Sequence, residues 1–300
     1  MTAVLARLNG RWGAALVRAV PFAWLTVFFL LPFLIVVKIA FAAKEFGRPP
    51  YTPLLEWVDG LTLSLSVFFG NFDLIFSETL YLAAYWSSLK IAFSATLITL
   101  LIGYPMAYAI ARADERRRPY LLMAVILPFW TSFLIRVYAW IGILKDQGLL
   151  NELLMALGII SEPLHILYTP VAVQIGIVYS YLPFMILPLY AALERMDHSL
   201  LDAAADLGAK PWRAFVTITL PLSMPGVAAG VMLVFIPAVG EFVIPDLLGG
   251  SDTLMIGKVL WNEFSRNVDW PMAAALAVLM LLALIIPAAI IQLFRKEAGP

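Results

Sequence analysis

The sequence contains no cysteine, which excludes disulfides, thiolate metal sites and thiol catalysis together. Charge is also scarce. Only 13% of residues are Asp, Glu, Lys or Arg, about half the usual share of a soluble domain, so water is not the main solvent of this chain. Lys plus Arg and Asp plus Glu both total 20, and a zero net charge offers no basic field for a nucleic acid. The two histidines, His165 and His198, are far apart and lack metal-ligand spacing; they are assigned to interfaces, and no metal site is expected. No glycine-rich stretch ends in Gly-Lys-Ser or Gly-Lys-Thr: Gly208-Ala209-Lys210-Pro211 lacks both the first glycine and the hydroxyl. Nothing in the chain reads as an ATP site.

What fills the sequence instead is apolar surface, 62% of all residues, gathered in long runs. Windows of about 20 apolar residues, enough to cross a hydrocarbon core roughly 30 Å thick, predict six helices: Val20–Phe41, Ile91–Ala111, Tyr120–Leu144, Leu167–Ala192, Gly226–Leu248 and Met272–Phe294. The fold class is therefore an all-α integral membrane protein with six transmembrane helices. Arg7, Arg11 and Arg18 precede a run that ends in the cleavage-like Ala40-Phe41-Ala42. That run exceeds the roughly 7 to 15 residues of a signal h-region, so it is expected to stay as the first span.

An even number of spans puts both termini on one side, and positive charge in short loops marks the cytoplasm. With the N-terminus inside, twelve Lys and Arg fall in inner segments, among them Arg112, Arg116, Arg117, Arg118, Arg195, Lys210 and Arg213. Five fall outside: Lys44, Arg48, Lys145, Lys258 and Arg266. Both termini are expected in the cytoplasm, while Lys38 and Lys90 snorkel to the outer surface. The chain divides into residues 1–84 (N-terminal segment, first span and a long outer loop), 85–294 (five closely spaced spans) and a tail, 295–300. Pro49, Pro50 and Pro53 mark the outer loop as an ordered cap rather than a linker.

The most informative segment is the inner loop 194–225. Ser199 and Asp202 form a capping-box pattern that starts a helix at Leu200, Gly208 supplies the left-handed residue to end it, and Pro211 opens a second helix carrying Trp212 and Phe215. Ala203, Ala204 and Ala205 leave the first helix thin; tipped by Leu207, with Trp212 and Phe215 nearby, it suits a groove on another protein. An amphipathic loop resting on lipid headgroups, with Trp212 as anchor, is the plainer alternative.

Asp202-Ala203-Ala204, Gly208, Ile218 and Leu220-Pro221 stand at the spacing of Glu-Ala-Ala, three residues, Gly, nine residues, Ile, one residue, Leu-Pro. The chain thereby resembles the permeases of binding-protein-dependent ATP-driven importers; its one departure, Asp for Glu, keeps the charge. Gly103-Tyr104-Pro105, the run from Thr131 to Trp140, and Gly240-Glu241-Phe242-Val243-Ile244-Pro245-Asp246-Leu247-Leu248-Gly249-Gly250 resemble the polyamine (spermidine/putrescine) branch of that family, with the nearest likeness to a putrescine permease. The resemblance implies a type-1 ABC importer transmembrane domain whose 202–221 segment is the coupling loop, with Asp202, Ala203, Ala204, Leu207, Gly208, Lys210, Trp212, Arg213, Phe215, Ile218, Leu220 and Pro221 as its residues. It further implies a second permease subunit, two cytoplasmic ATPase subunits that bind ATP and magnesium, and a periplasmic polyamine-binding protein. The chain itself is then no enzyme, has no cofactor, and works by alternating access in the bacterial inner membrane.

Polar groups inside the apolar runs mark a candidate pathway. Glu241 lies in the fifth window, where a lone acid costs about 2.5–3.5 kcal/mol on insertion scales, and the flanking Pro237 and Pro245 predict a broken helix around Gly240-Glu241 against a water-filled cavity. Asp246 sits toward the mouth. Counted along straight helices, Glu241 and Arg136 lie about 22 and 24 Å from the inner ends of their spans. An Arg136–Glu241 ion pair and direct contact of Glu241 with a cationic substrate both stand. Phe129, Phe133, Arg136 and Trp140 fall within about 60° on the third span, and Gln174, Tyr181 and Met185 share a face of the fourth, where rings suit a diamine through cation–π contacts. Helix packing accounts for either stripe as well. Gly226 and Gly230 read as a close helix contact. A gradient-driven secondary transporter or channel for a small cation remains the rival function, and a membrane-embedded enzyme the weakest, for want of a clustered constellation.

Overall fold

The structure is a computed structural model that describes residues 17–58, 62–197, 199–251 and 253–297. Arg7, Arg11, His198 and the tail beyond 297 lie outside the described residues. The chain forms two compact units, residues 17–79 with 260–297, and residues 80–259.

In the first unit, α1 (Val17–Ala40) packs against α12 (Trp270–Glu297). The segment between α1 and the end of the unit's N-terminal part is ordered: an antiparallel hairpin of β1 (Leu55–Val58) and β2 (Thr62–Leu65), pairing Leu55 with Leu65, then α2 (Gly70–Ser77). The buried Asn71 amide donates to the carbonyls of Ala40 and Ala42 at 3.0 and 2.8 Å, closing the end of α1 where helical partners run out. Lys44 reaches Asp269 at 3.3 Å and ties the loop to the start of α12.

The second unit holds α3 (Thr79–Ala111), α4 (Arg118–Trp130), α5 (Phe133–Leu144), α6 (Leu149–Ala156), α7 (Pro170–Glu194), α8 (Ser199–Asp206), α9 (Pro211–Val239) and α10 (Val243–Leu247), and α11 (Ile256–Ser265) crosses its boundary. Its core is the seam of α3, α7 and α9, where Ala107, Ile110, Met185, Ile186, Leu189 and Val234 are buried together. Gly226 and Gly230 make that seam possible. A Cβ on Gly226 would stand 2.6 Å from Ala192 Cβ, and one on Gly230 2.6 Å from Met185 Sδ, so the pair is the close helix contact its spacing implies.

Four described helices, α1, α3, α7 and α9, are long and apolar enough to span a bilayer, and α4 with α5 makes a fifth if the bent pair is counted as one; the described apolar part of α12 covers Trp270–Ile285. Two expected spans are corrected. The third is not one helix: α4 meets the stretch Phe133–Ala156, which α5 opens, at 91°. Pro128 sits in a tight 3₁₀ turn and Thr131 and Ser132 are extended, so the backbone bonds of a continuous helix are lost there. The fifth is shifted. It begins at Pro211 inside the expected loop and ends at Val239, instead of running from 226 to 248. The expected loop runs to Pro225, but a wide π turn over Phe215–Thr219, in which the Leu220 N–H reaches Phe215 O, carries the helix on into Leu220-Pro221. The straight-helix depths of about 22 and 24 Å therefore fail for both charges.

Candidate functional site

The loop after α7 folds around one residue. Asp197 Oδ1 accepts the Ser199 N–H at 2.9 Å, so the helix starts at Ser199, one residue early, and the capping oxygen described there belongs to Asp197. Gly208, at φ +76°, ends α8. Its N–H reaches Ala205 O and the Ala209 N–H reaches Ala204 O, both at 2.9 Å, the paired closing bonds of a left-handed helix stop. Pro211 then occupies the first turn of α9. Leu207 is 89% and Trp212 61% exposed, with the Arg213 guanidinium 5.4 Å from the Trp212 ring centre. Asp202, Ala203, Lys210 and Pro221 are exposed too, whereas Ala204, Ile218 and Leu220 are half-buried. Phe215 departs from its expected place on the docking tip. It turns inward, edge-on to Tyr104 and Tyr108 of α3 at 5.6 and 5.8 Å, and Tyr104 Oη and Ser223 Oγ, 2.8 Å apart, close the same contact.

The second group of residues surrounds the break between α9 and α10. The helix stops at Val239 and resumes at Val243, as the flanking prolines require. Glu241, 8% exposed, fills the gap: Oε1 accepts the N–H groups of Val243 and Ile244 at 3.0 and 3.4 Å, and Tyr181 Oη donates to Oε2 at 2.6 Å. Asp246 lies 3.7 Å from Lys258, whose ammonium also reaches Pro245 O at 3.3 Å. Sequence reasoning had left Lys258 in an outer loop, with no pattern to place it here.

Arg136 answers the other break. Its guanidinium donates to Pro128 O across the 91° bend at 2.9 Å and lies 4.8 and 5.9 Å from the ring centres of Phe129 and Phe133. Among the described residues no ion pair joins it to Glu241; rings stand between them, Phe129 edge-on to Phe184 at 5.2 Å and Phe184 against Tyr181 at 6.1 Å. Phe184 was missed by reasoning on the sequence, because an apolar ring in an apolar span gives no signal. Trp140 packs edge-on to Tyr179 at 5.4 Å, Gln174 donates to Ser94 Oγ at 2.6 Å, and Met185 is fully buried in the core against which Tyr181 packs. No three His, Asp or Glu side chains gather as a metal site among the described residues.

Apolar helices with two broken spans and a helical loop outside them define a multi-pass membrane permease. Residues 2–296 match the family of binding-protein-dependent transport system inner membrane components, and the chain belongs to that family, as a multi-pass inner-membrane protein. It is 42% identical to the spermidine/putrescine transport system permease protein PotB of Haemophilus influenzae over 270 residues, 89% of this chain and 90% of the relative. To the protein of the same description from Escherichia coli K12 it is 40% identical, over 85% of this chain and 88% of that one. A bacterial alginate ABC transporter, crystallised with its alginate pentasaccharide-bound periplasmic protein, shares the fold with a TM-score of 0.68, covering 98% of each chain at 18% identity. The inward-facing MetNI methionine ABC transporter does so at 0.54, covering 72% of this chain and 95% of its own at 17% identity.

Proposed function

We propose that the chain is one permease subunit of an ATP-driven importer of a polyamine, putrescine or spermidine, with six spans and both termini in the cytoplasm. The observation that carries the ATP coupling is the 202–221 segment, folded as a short helix, a left-handed Gly208 and the first turns of α9. A helix so connected moves its span when a partner moves its tip. Leu207 and Trp212 are the exposed apolar groups for two ATPase subunits, which bind ATP and magnesium; a second permease completes the pathway, and a periplasmic binding protein delivers the substrate. The polyamine rests on the likeness to the two PotB proteins. Glu241, Tyr181 and the rings of Phe133 and Trp140 suit a flexible cation, and alternating access is the mechanism, with Arg136 and Asp246 beside the path.

The test is uptake of labelled putrescine and spermidine into proteoliposomes holding the assembled complex, with ATP inside and the binding protein outside. ATP-dependent uptake of either is expected. Uptake that follows an ion gradient without ATP would replace this reading by the secondary transporter. Gly208→Val should insert normally yet weaken ATPase-subunit binding, because a side chain at a left-handed position costs about 1–2 kcal/mol. Normal binding and uptake in that variant would remove the coupling role.

A further inference from the structure

We infer that Arg118 is a positioning residue that joins the coupling loop to the broken third span, an inference that rests on the proposed ATP coupling. Arg118 is the first residue of α4, Ala111 the last of α3 and Glu194 the last of α7, five residues before α8 begins. One guanidinium meets all three ends. Nη1 donates to Glu194 Oε1 at 3.1 Å, and Nη2 to the carbonyls of Ala111 and Ala113 at 3.2 and 3.4 Å.

An exposed ion pair holds little by itself, and the Glu194 side chain is 42% exposed. Arg118 differs because its side chain is only 25% exposed and it also occupies carbonyls that the end of α3 leaves without helical partners, where a cation is favoured. Its Nε is buried with no hydrogen-bond partner, so the guanidinium has given up water on one edge and depends on the contacts that remain. Two other arginines of this turn are bound differently: Arg112 lies over the Tyr108 ring at 4.8 Å, and Arg117 reaches Asp114 only at 3.9 Å with both side chains about four-fifths exposed.

The surroundings give the joint something to transmit. Arg118 and Arg112 line one wall of a cavity of about 490 Å³ whose other wall carries Asp202, Ala205, Ala209 and Pro211 of the coupling segment. α8 therefore has open space behind it and a firm connection beside it. A push on α8 reaches the end of α7 and Glu194, passes through Arg118 into α4, and arrives at the 91° bend that Arg136 bridges. Without Arg118, closure of the ATPases still moves α9 directly, but α3 and α4 no longer follow.

The experiment uses the complete importer in proteoliposomes and reads two quantities separately, the yield of assembled complex and the polyamine taken up per ATP hydrolysed. Arg118→Gln and Glu194→Gln are expected to assemble and hydrolyse ATP near the wild-type level, while uptake per ATP falls about tenfold, the scale of losing a charge-assisted bond. The double variant should be no worse than Arg118→Gln, and Glu194→Asp should keep most of the uptake. Parallel loss of yield and uptake with an unchanged ratio would reduce Arg118 to a structural residue, and independent multiplying losses would deny the joint; either overturns the inference. A wild-type complex that hydrolyses no ATP during uptake fails the coupling reading itself, a separate result.

Discussion

The two broken spans solve the same problem with opposite charges. At the α4–α5 bend the backbone group reached is a carbonyl, Pro128 O, which accepts the Thr131 N–H and hydroxyl, and the side chain that adds a third donor across the bend is a cation, Arg136. At the α9–α10 gap the unmet groups are N–H donors, and the side chain is an anion, Glu241. Each charge suits the polarity of the helix end it faces. Two charges that look like partners on a hydropathy plot are thus each paired with backbone. They also differ in how firmly they are held: the Glu241 carboxylate accepts three hydrogen bonds, whereas Arg136 makes one described hydrogen bond, rests on two rings and keeps a buried Nε with no hydrogen-bond partner. The α9–α10 gap is stapled more tightly than the α4–α5 bend.

Glu241→Ala should have the largest effect. It leaves Val243 N–H, Ile244 N–H and the Tyr181 hydroxyl without an acceptor in a site that is 8% exposed, a loss of about 3–5 kcal/mol. The amount of monodisperse protein after detergent extraction is the measurement, and near-normal recovery would show that water or lipid headgroups replace the carboxylate. Glu241→Gln keeps one carbonyl oxygen for the two N–H groups. It should extract far better than the alanine variant yet take up less polyamine.

Arg136→Gln comes next, at about 1–3 kcal/mol for the lost charge-assisted bond and ring contacts. Its sharper use is in combination. Because each charge answers a different break, the effects of Arg136→Gln and Glu241→Gln on extraction and thermal stability should add within about 0.5 kcal/mol. If Glu241→Gln instead restores what Arg136→Gln loses, the two charges neutralise each other and the comparison between the breaks collapses.

How far each break was legible in the sequence follows from what marks it. The α9–α10 gap shows because Pro237, Gly240, Glu241 and Pro245 are a charge and helix breakers in close order. The α4–α5 bend does not, because Pro128, Thr131 and Ser132 lie in an apolar run, and a 20-residue average registers solvent preference rather than backbone bonding. For the same reason the windows located the spans but not the start of α9: the stretch up to Pro225 reads as inner loop, whereas the helix runs through it from Pro211 by way of a π turn at Phe215–Thr219. Local rules served better in the coupling segment, where Gly208 and Pro211 act on their own neighbours. Phe215 escaped them because its place depends on Tyr104 and Tyr108, more than a hundred residues away in the chain.

Tyr181→Phe should have the smallest effect on folding and discriminates most finely between a cap and a pathway. The ring and its contact with Phe184 survive, and Oε1 of Glu241 keeps both backbone donors; only the 2.6 Å bond to Oε2 is lost. One hydrogen bond to a charged group is worth about 1.5–3 kcal/mol, and a carboxylate still held by two N–H groups recovers part of that from water, so stability should fall by about 1 kcal/mol. If Glu241 serves only to close the backbone gap, polyamine uptake should fall no further than the amount of folded protein. If Oε2 also faces the substrate path, the hydroxyl sets its position, and uptake per folded complex should fall severalfold while extraction stays near wild type. The second outcome is expected, because the α9 break leaves Oε1 for the backbone and Oε2 as the one oxygen not bound to it. Parallel loss of uptake and folded protein would return Glu241 to a purely structural role.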